Sequence, residues 1–284
     1  MFCIKNFFDA QVEVLVKQYD RREAATIAEL LFEHVFHKPI HLLLLNKDNF
    51  EDKNSICVVE SAINRLLNNE PVQYILGEAF FYDRKFVVTS DVLIPRGETE
   101  ELVKLLLDDD FSRRNLSVID ICTGSGCIPV TLKLERDNLY VSGFDISEAA
   151  VKVAKANAAN LHADVNFYVD DIFEIKIADK YDVIISNPPY VTESDKKLMR
   201  ANVVDYEPSL ALFVHDDNPL IYYRALLNVS CNMLNVGGRV YMEINENYGA
   251  EVVNLFQTCF KYVNIFQDIN GKDRFVVAAD MLNI

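Results

Sequence analysis

Positive charge is in short supply. The 284 residues hold 28 Lys plus Arg against 43 Asp plus Glu, a formal net charge of -15. Such a field repels phosphate backbones, so no direct nucleic-acid partner is expected. The deficit is spread along the chain, with 8 positive against 12 negative over residues 1–78 and 20 against 31 over the rest. Neither part is a basic arm. Cysteine is also sparse: Cys3, Cys57, Cys122, Cys127, Cys231 and Cys259 lack the paired C-x2-C spacing of zinc sites. Reduced, mostly buried thiols and no metal are expected. No apolar run approaches the ~20 residues that span a bilayer, and Met1–Ala10 lacks an apolar signal core, with Asp9 and Glu13 interrupting it. A cytoplasmic place with no membrane partner is the expectation. Internal repeats and low-complexity tracts are likewise missing.

What is present is an ordinary folded composition, 50% hydrophobic and 25% charged, in a length worth roughly two domains at about 150 residues each. From Val12 to Leu67 apolar residues keep helical spacing. Ala24, Ile27, Ala28, Leu31, Phe32 and Val35 form one stripe, and Val59, Ala62, Ile63, Leu66 and Leu67 another. The reading is a small helical bundle over residues 1–75. After Pro71 the period changes, and Phe80–Ile94 mixes aromatic and β-branched residues around Asp83-Arg84-Lys85, predicting a hairpin linker over 76–98. From 99 to 284, short apolar runs alternate with helical stretches. Strands are predicted at 118–121, 140–144, 165–169, 183–185, 240–244, 263–266 and 275–278, the mark of an α/β sheet covered on both faces.

The first α/β unit, Val118-Ile-Asp-Ile-Cys-Thr-Gly-Ser-Gly-Cys-Ile-Pro129, is a strand, a glycine turn and a helix start. Gly124 and Gly126 let backbone approach a ligand, although a bland tight turn reads the same way. Pro129 stands where a G-x-G-x-x-G pattern needs its third glycine, which weakens a dinucleotide reading. Asp145 ends the next strand, where a carboxylate accepts both hydroxyls of a ribose; it also suits the N-cap of a helix over Ser147–Ala159. Asp171 and Ile172, just past the third strand, are placed beside an adenine ring. The sharpest signal is Asn187-Pro188-Pro189-Tyr190 after the apolar strand at 181. Two prolines fix φ and restrict the residues before them. That suits a planar nitrogen bearing two hydrogens: the Asn187 side-chain oxygen takes one, the Pro188 carbonyl the other, and the Tyr190 ring stacks on the plane.

Together the glycine turn, Asp145 and Asn-Pro-Pro-Tyr resemble class I S-adenosylmethionine methyltransferases, with their Rossmann-like α/β domain, that act on exocyclic or amide nitrogens. The likeness extends to Glu70-Pro-Val-Gln-Tyr-Ile-Leu-Gly77, Val92-Leu-Ile-Pro-Arg96, Glu98-Thr-Glu100, Tyr206-Glu-Pro-Ser-Leu-Ala-Leu212, Gly237-Gly238 and Gly271-Lys-Asp-Arg274. In that order they resemble the HemK family, the peptide chain release factor glutamine N5-methyltransferases, over residues 15–280. The resemblance implies S-adenosylmethionine as cofactor, S-adenosylhomocysteine as product, and class 1 release factors as protein substrate, methylated at the glutamine of a Gly-Gly-Gln loop. It assigns the cofactor to Cys122, Thr123, Gly124, Ser125, Gly126, Asp145, Asp171, Ile172 and Asn187, catalysis to Asn187, Pro188 and Tyr190, and substrate binding to those three together with Pro189. It gives the helical domain the recognition of substrate. Cys122 stands where many members have Gly, Gly97 where Pro is usual, and Ile172 where some carry an aromatic. A ribosomal-protein glutamine or a nucleic-acid base is the alternative substrate.

Overall fold

The computed structural model describes residues 3–45, 53–175 and 178–282. It divides into two compact units, residues 1–77 with 201–206, and residues 78–200 with 207–284.

The first unit holds α1 (Ile4–Leu15), α2 (Arg21–Phe36), α3 (Ile40–Leu45), α4 (Lys53–Leu67) and α5 (Val72–Leu76). Asp20 caps α2, its carboxylate accepting from the Arg22 and Glu23 amides at 2.9 Å each, which satisfies two otherwise orphaned N–H groups. Both predicted stripes face one core, with only Val35 and Leu67 half-buried. Helix α1 starts at Ile4, upstream of Val12, where the helical spacing becomes readable. Adjacent Phe7 and Phe8 blur the 3.6-residue period there, yet both are buried, and Phe8 meets Phe32 edge-on with centroids 5.2 Å apart.

The second unit opens with β1 (Glu78–Phe81) and β2 (Arg84–Val87), a hairpin turning at Tyr82 and Asp83. Both turn residues have positive φ, 51° and 60°, the backbone that matches strand twist in a two-residue turn. The predicted hairpin was longer. Lys85 lies inside β2 opposite Phe80 rather than in the turn, and pairing stops at Val87, because a turn closes at Thr89 (Val92 N to Thr89 O, 3.1 Å). There follow α6 (Gly97–Asp108), β3 (Ser117–Ile121), α7 (Cys127–Glu135), β4 (Tyr140–Asp145), α8 (Glu148–Asn160), β5 (Val165–Val169), β6 (Tyr181–Ser186) and β7 (Val191–Thr192). The chain then passes through α9 (Ala201–Val204), which belongs to the first unit, where the Tyr206 hydroxyl donates to the Asn68 carbonyl at 2.7 Å. The remainder is β8 (Phe213–Val214), α10 (Ile221–Met233), β9 (Leu234–Glu243), α11 (Gly249–Phe256), β10 (Phe260–Gln267) and β11 (Asp273–Met281).

The seven predicted strands form one sheet in the order β10-β11-β9-β6-β3-β4-β5. The five from β9 to β5 run parallel, while β11 is antiparallel to both neighbours. Strand β9 starts earlier than predicted, since Gly237 and Gly238 hide its first half from any β-propensity reading. Because β4 and β6 flank β3, the chain leaves β3 on one side and returns on the other. That reversal opens a crevice at the carboxyl ends of the strands. Buried residues pack both faces of the sheet, among them Val118 and Val183 on one and Ile119 and Ile184 on the other.

Candidate functional site

Three adjacent parallel strands deliver the predicted residues to that crevice: Cys122–Gly126 follow β3, Asp145 ends β4, and Asn187 follows β6. In the register, Ile121 lies opposite both Phe144 and Ser186, and the Ser186 hydroxyl donates to the Ile121 carbonyl at 2.7 Å. The strand ends are thereby held level.

The loop after β3 turns through positive φ at Cys122 (63°), Gly124 (52°) and Gly126 (76°). A β-carbon on Gly126 would lie 2.9 Å from the Ala154 β-carbon, so α8 demands glycine there, whereas one on Gly124 would meet nothing within 4 Å. Gly124 faces open space. Its amide donates to Asp145 Oδ2 at 2.9 Å, and the Ser147 amide donates to Oδ1 at 2.9 Å. Ser147 itself caps α8 through its hydroxyl, which accepts from the Ala150 amide at 3.2 Å. The capping role considered for Asp145 thus falls to Ser147. A carboxylate offers about four lone-pair sites, so Asp145 keeps capacity for further donors. Burial pushes its carboxyl above the ordinary range, opposed by those backbone donors.

The cavity above the loop is lined by Cys122, Gly124, Asp145, Asp171, Ile172, Asn187 and Pro189 among the predicted residues. Thr123, Ser125, Gly126, Pro188 and Tyr190 do not line it. Thr123 and Ser125 are buried behind it, where the Thr123 hydroxyl donates to Asp120 Oδ2 at 2.6 Å and the Ser125 carbonyl accepts from Asn157 at 2.9 Å. Asp171 shapes the wall by accepting from the Phe173 amide at 2.9 Å. Sequence reasoning missed Phe173 and Tyr222, which line the cavity beside Ile172 with ring centroids 5.2 Å apart. No periodicity marks two aromatics so far apart in the chain.

At Asn187 the side chain is held by one end. Its Nδ2 donates to Thr99 Oγ1 at 3.0 Å, and the Thr99 hydroxyl donates to Glu243 Oε2 at 2.8 Å. The other Glu243 oxygen accepts from the Tyr190 hydroxyl at 2.7 Å, and the Tyr190 carbonyl accepts from Asn245 at 3.2 Å. Burial raises the Glu243 carboxyl, while the two hydroxyl donors and the Arg274 charge hold it down. Tyr190 is pushed well above the usual phenol range by burial and by Glu243. Among the described residues, neither Asn187 Oδ1 nor the Pro188 carbonyl accepts a hydrogen bond, so both are free acceptors. Thr99 and Glu243 escaped the sequence reading. The available signal was Glu243 closing an apolar strand at the carboxyl edge of the sheet. The Ile-Pro-Arg and Tyr-Glu-Pro segments meet as well: Glu207 accepts from the Ile94 amide at 3.1 Å and pairs with the Arg96 guanidinium.

The strand order, the glycine turn after β3, the acidic end of β4 and Asn-Pro-Pro-Tyr after β6 define a class I methyltransferase fold. Residues 97–205 match the methyltransferase small domain family and residues 10–77 the PrmC N-terminal domain. The chain is 44% identical to the release factor glutamine methyltransferase of Bacteroides thetaiotaomicron over 78% of its length and 80% of that protein. It is 36% identical to the enzyme of the same name from Flavobacterium psychrophilum, over 96% and 98%. It belongs to the release factor glutamine methyltransferase family. At the level of fold alone, it resembles a methyltransferase from Pyrococcus furiosus (TM-score 0.52, 14% identity, 78% of this chain and 98% of that one). The T. thermophilus 16S rRNA methyltransferase RsmC, solved with AdoMet and guanosine, is similar too (TM-score 0.51, 15% identity, 72% and 49%). No helix among the described residues is long and apolar enough to cross a membrane.

Proposed function

We propose that this chain transfers a methyl group from S-adenosylmethionine to the side-chain amide nitrogen of the glutamine in the Gly-Gly-Gln motif of class 1 peptide chain release factors, in the cytoplasm. The observation that carries the reading is the pair of free acceptors, Asn187 Oδ1 and the Pro188 carbonyl, at the end of β6 beside a cavity lined by Gly124 and Asp145.

The residues fit the cofactor. Gly124 faces open space where a backbone must approach a ligand, Asp145 has lone pairs left for ribose hydroxyls, and Ile172, Phe173 and Tyr222 offer apolar surface for an adenine. When bound, the cofactor supplies an electrophilic methyl on a positively charged sulfur. A glutamine amide is a poor nucleophile because its lone pair is delocalised. Acceptors on both of its N–H bonds favour a pyramidal nitrogen and hold it in line, which is positioning and electrostatic preorganisation together. The two prolines keep those acceptors still. No base is needed before transfer, because the methylated nitrogen is acidic enough to lose its proton to water. The helical unit is assigned to recognition of the intact release factor, since it buries its own core and carries no evident chemistry.

Incubation with methyl-labelled S-adenosylmethionine and a purified class 1 release factor, ribosomal proteins or RNA in separate arms tests the reading. Label entering the release factor is the expected result. Label entering only ribosomal protein or RNA overturns it. The net charge of -15 favours the protein arm.

A further inference from the structure

The two ends of an asparagine amide are alike in shape and opposite in chemistry. A half-turn about the terminal bond exchanges an acceptor for a donor at little steric cost. For Asn187 the exchange would present N–H groups to a target nitrogen that itself carries N–H groups. Something must choose the end, and proline stiffening of the backbone does not.

We infer that Thr99 and Glu243 are positioning residues that fix which end of the Asn187 amide meets the substrate; this rests on the reading of Asn187 as an acceptor for the target nitrogen. The direction of each hydrogen bond follows from counting hydrogens. An ionised carboxylate only accepts. Glu243 takes the Tyr190 hydroxyl on Oε1 at 2.7 Å and the Thr99 hydroxyl on Oε2 at 2.8 Å. Each hydroxyl has a single hydrogen, and both are spent on Glu243. Thr99 Oγ1 therefore has only lone pairs left, and at 3.0 Å from the Asn187 amide it faces Nδ2. The reversed amide would set the lone pairs of Oδ1 against those of Oγ1. Little water reaches the Thr99 and Glu243 side of that contact to relieve the repulsion, because Thr99 is 3% and Glu243 2% exposed. In a buried polar chain every member must be satisfied, so the polarity set at Glu243 propagates to Asn187.

The members come from three separate places in the fold: the first turn of α6, the end of β9 and the segment after β6. The Glu-Thr-Glu segment at 98–100 owes its place in the site to the hydroxyl of Thr99. Glu98 and Arg274 act on the Glu243 charge in opposite senses, the first raising and the second lowering its carboxyl.

Three variants of the full chain test this. Thr99→Val keeps the branched shape and removes the hydroxyl, leaving the amide free to turn. Thr99→Ser restores a hydroxyl. Glu243→Gln presents one donor end, so either Thr99 or Tyr190 loses its acceptor. Single-turnover methylation of a class 1 release factor is measured at saturating S-adenosylmethionine and factor, with cofactor Kd by calorimetry. Thr99→Val and Glu243→Gln are expected to lose roughly tenfold to a hundredfold in rate, the scale of a misaimed preorganised group, with Kd within about twofold. Thr99→Ser is expected to recover most of the rate. If Thr99→Val fails to fold, Glu243→Gln and Thr99→Ser carry the test. Wild-type rates in folded Thr99→Val or Glu243→Gln overturn the inference, and so does a loss in either that appears only in Kd. Asn187→Ala in the same assay separates the two levels: if it too keeps the wild-type rate, the reading of Asn187 falls, whereas if it alone loses rate, only the positioning by Thr99 and Glu243 falls.

Discussion

Cys122 sits at φ 63°, a left-handed backbone that costs a residue with a β-carbon about 1–2 kcal/mol. Replacing it with glycine removes that strain but adds unfolded-state entropy worth about 0.5–1 kcal/mol. Cys122→Gly is therefore expected to stabilise by roughly 0.5–1 kcal/mol, seen as a rise of about 2 °C in the thermal midpoint; a fall would show that the thiol packs better than its backbone is strained. At Asp145 the raised carboxyl gives two pH effects of opposite sign. Its ionised form accepts from the cofactor, so affinity should fall as pH drops through a pKa above the ordinary carboxylate range. Without ligand, the folded state holds the proton more tightly than the unfolded one. The stability this contributes is present at low pH and lost as pH rises through the folded pKa. Calorimetry across pH checks the first effect, and Asp145→Ala is expected to weaken binding by about 1.5–3 kcal/mol. Asp145 and Asn187 were readable from sequence because each ends an apolar strand. Thr99 and Glu243 were not. Their roles arise where positions 99, 187 and 243 meet, and neither spacing nor propensity encodes a contact across such separations.

At the scale of elements, Asn157 joins three pieces. Its side chain accepts from the Val87 amide at 2.7 Å and donates to the Val87 and Ser125 carbonyls at 2.9 Å each. Strand β2, helix α8 and the loop after β3 are tied by one buried amide. Asn157→Ala leaves three backbone groups unpaired, and a loss of about 3 kcal/mol is expected from urea unfolding of the second unit, since each buried unpaired group costs about 1–3 kcal/mol before relaxation. A loss under 1 kcal/mol would mean that water fills the gap. The sheet strands were legible because each is a short apolar run bounded by polar turns. The hairpin was legible only in part, because the β-branched residues at 88–94 carry strand propensity but are held by turns and by Glu207 instead of a ladder. Tertiary hydrogen bonds outweighed local preference there.

At the scale of the whole molecule, the chain divides into two units, and the proposal gives recognition to the first and chemistry to the second. Removing residues 1–70 is expected to leave S-adenosylmethionine binding within about threefold by calorimetry, because every cavity residue belongs to the second unit. Methylation of an intact release factor should fall sharply; full activity of the truncated chain would remove the helical unit from recognition. The change of hydrophobic period near residue 71 made the two-part organisation visible, while the return of residues 201–206 to the first unit left no local mark. The most direct test of the central claim is a tandem mass spectrum of the release factor's Gly-Gly-Gln peptide after a single turnover with the full-length chain. One added methyl on the side chain of that glutamine is expected, reduced about a hundredfold or more by Asn187→Ala. A methyl on any other residue, or equal methylation by the Asn187→Ala chain, would contradict it.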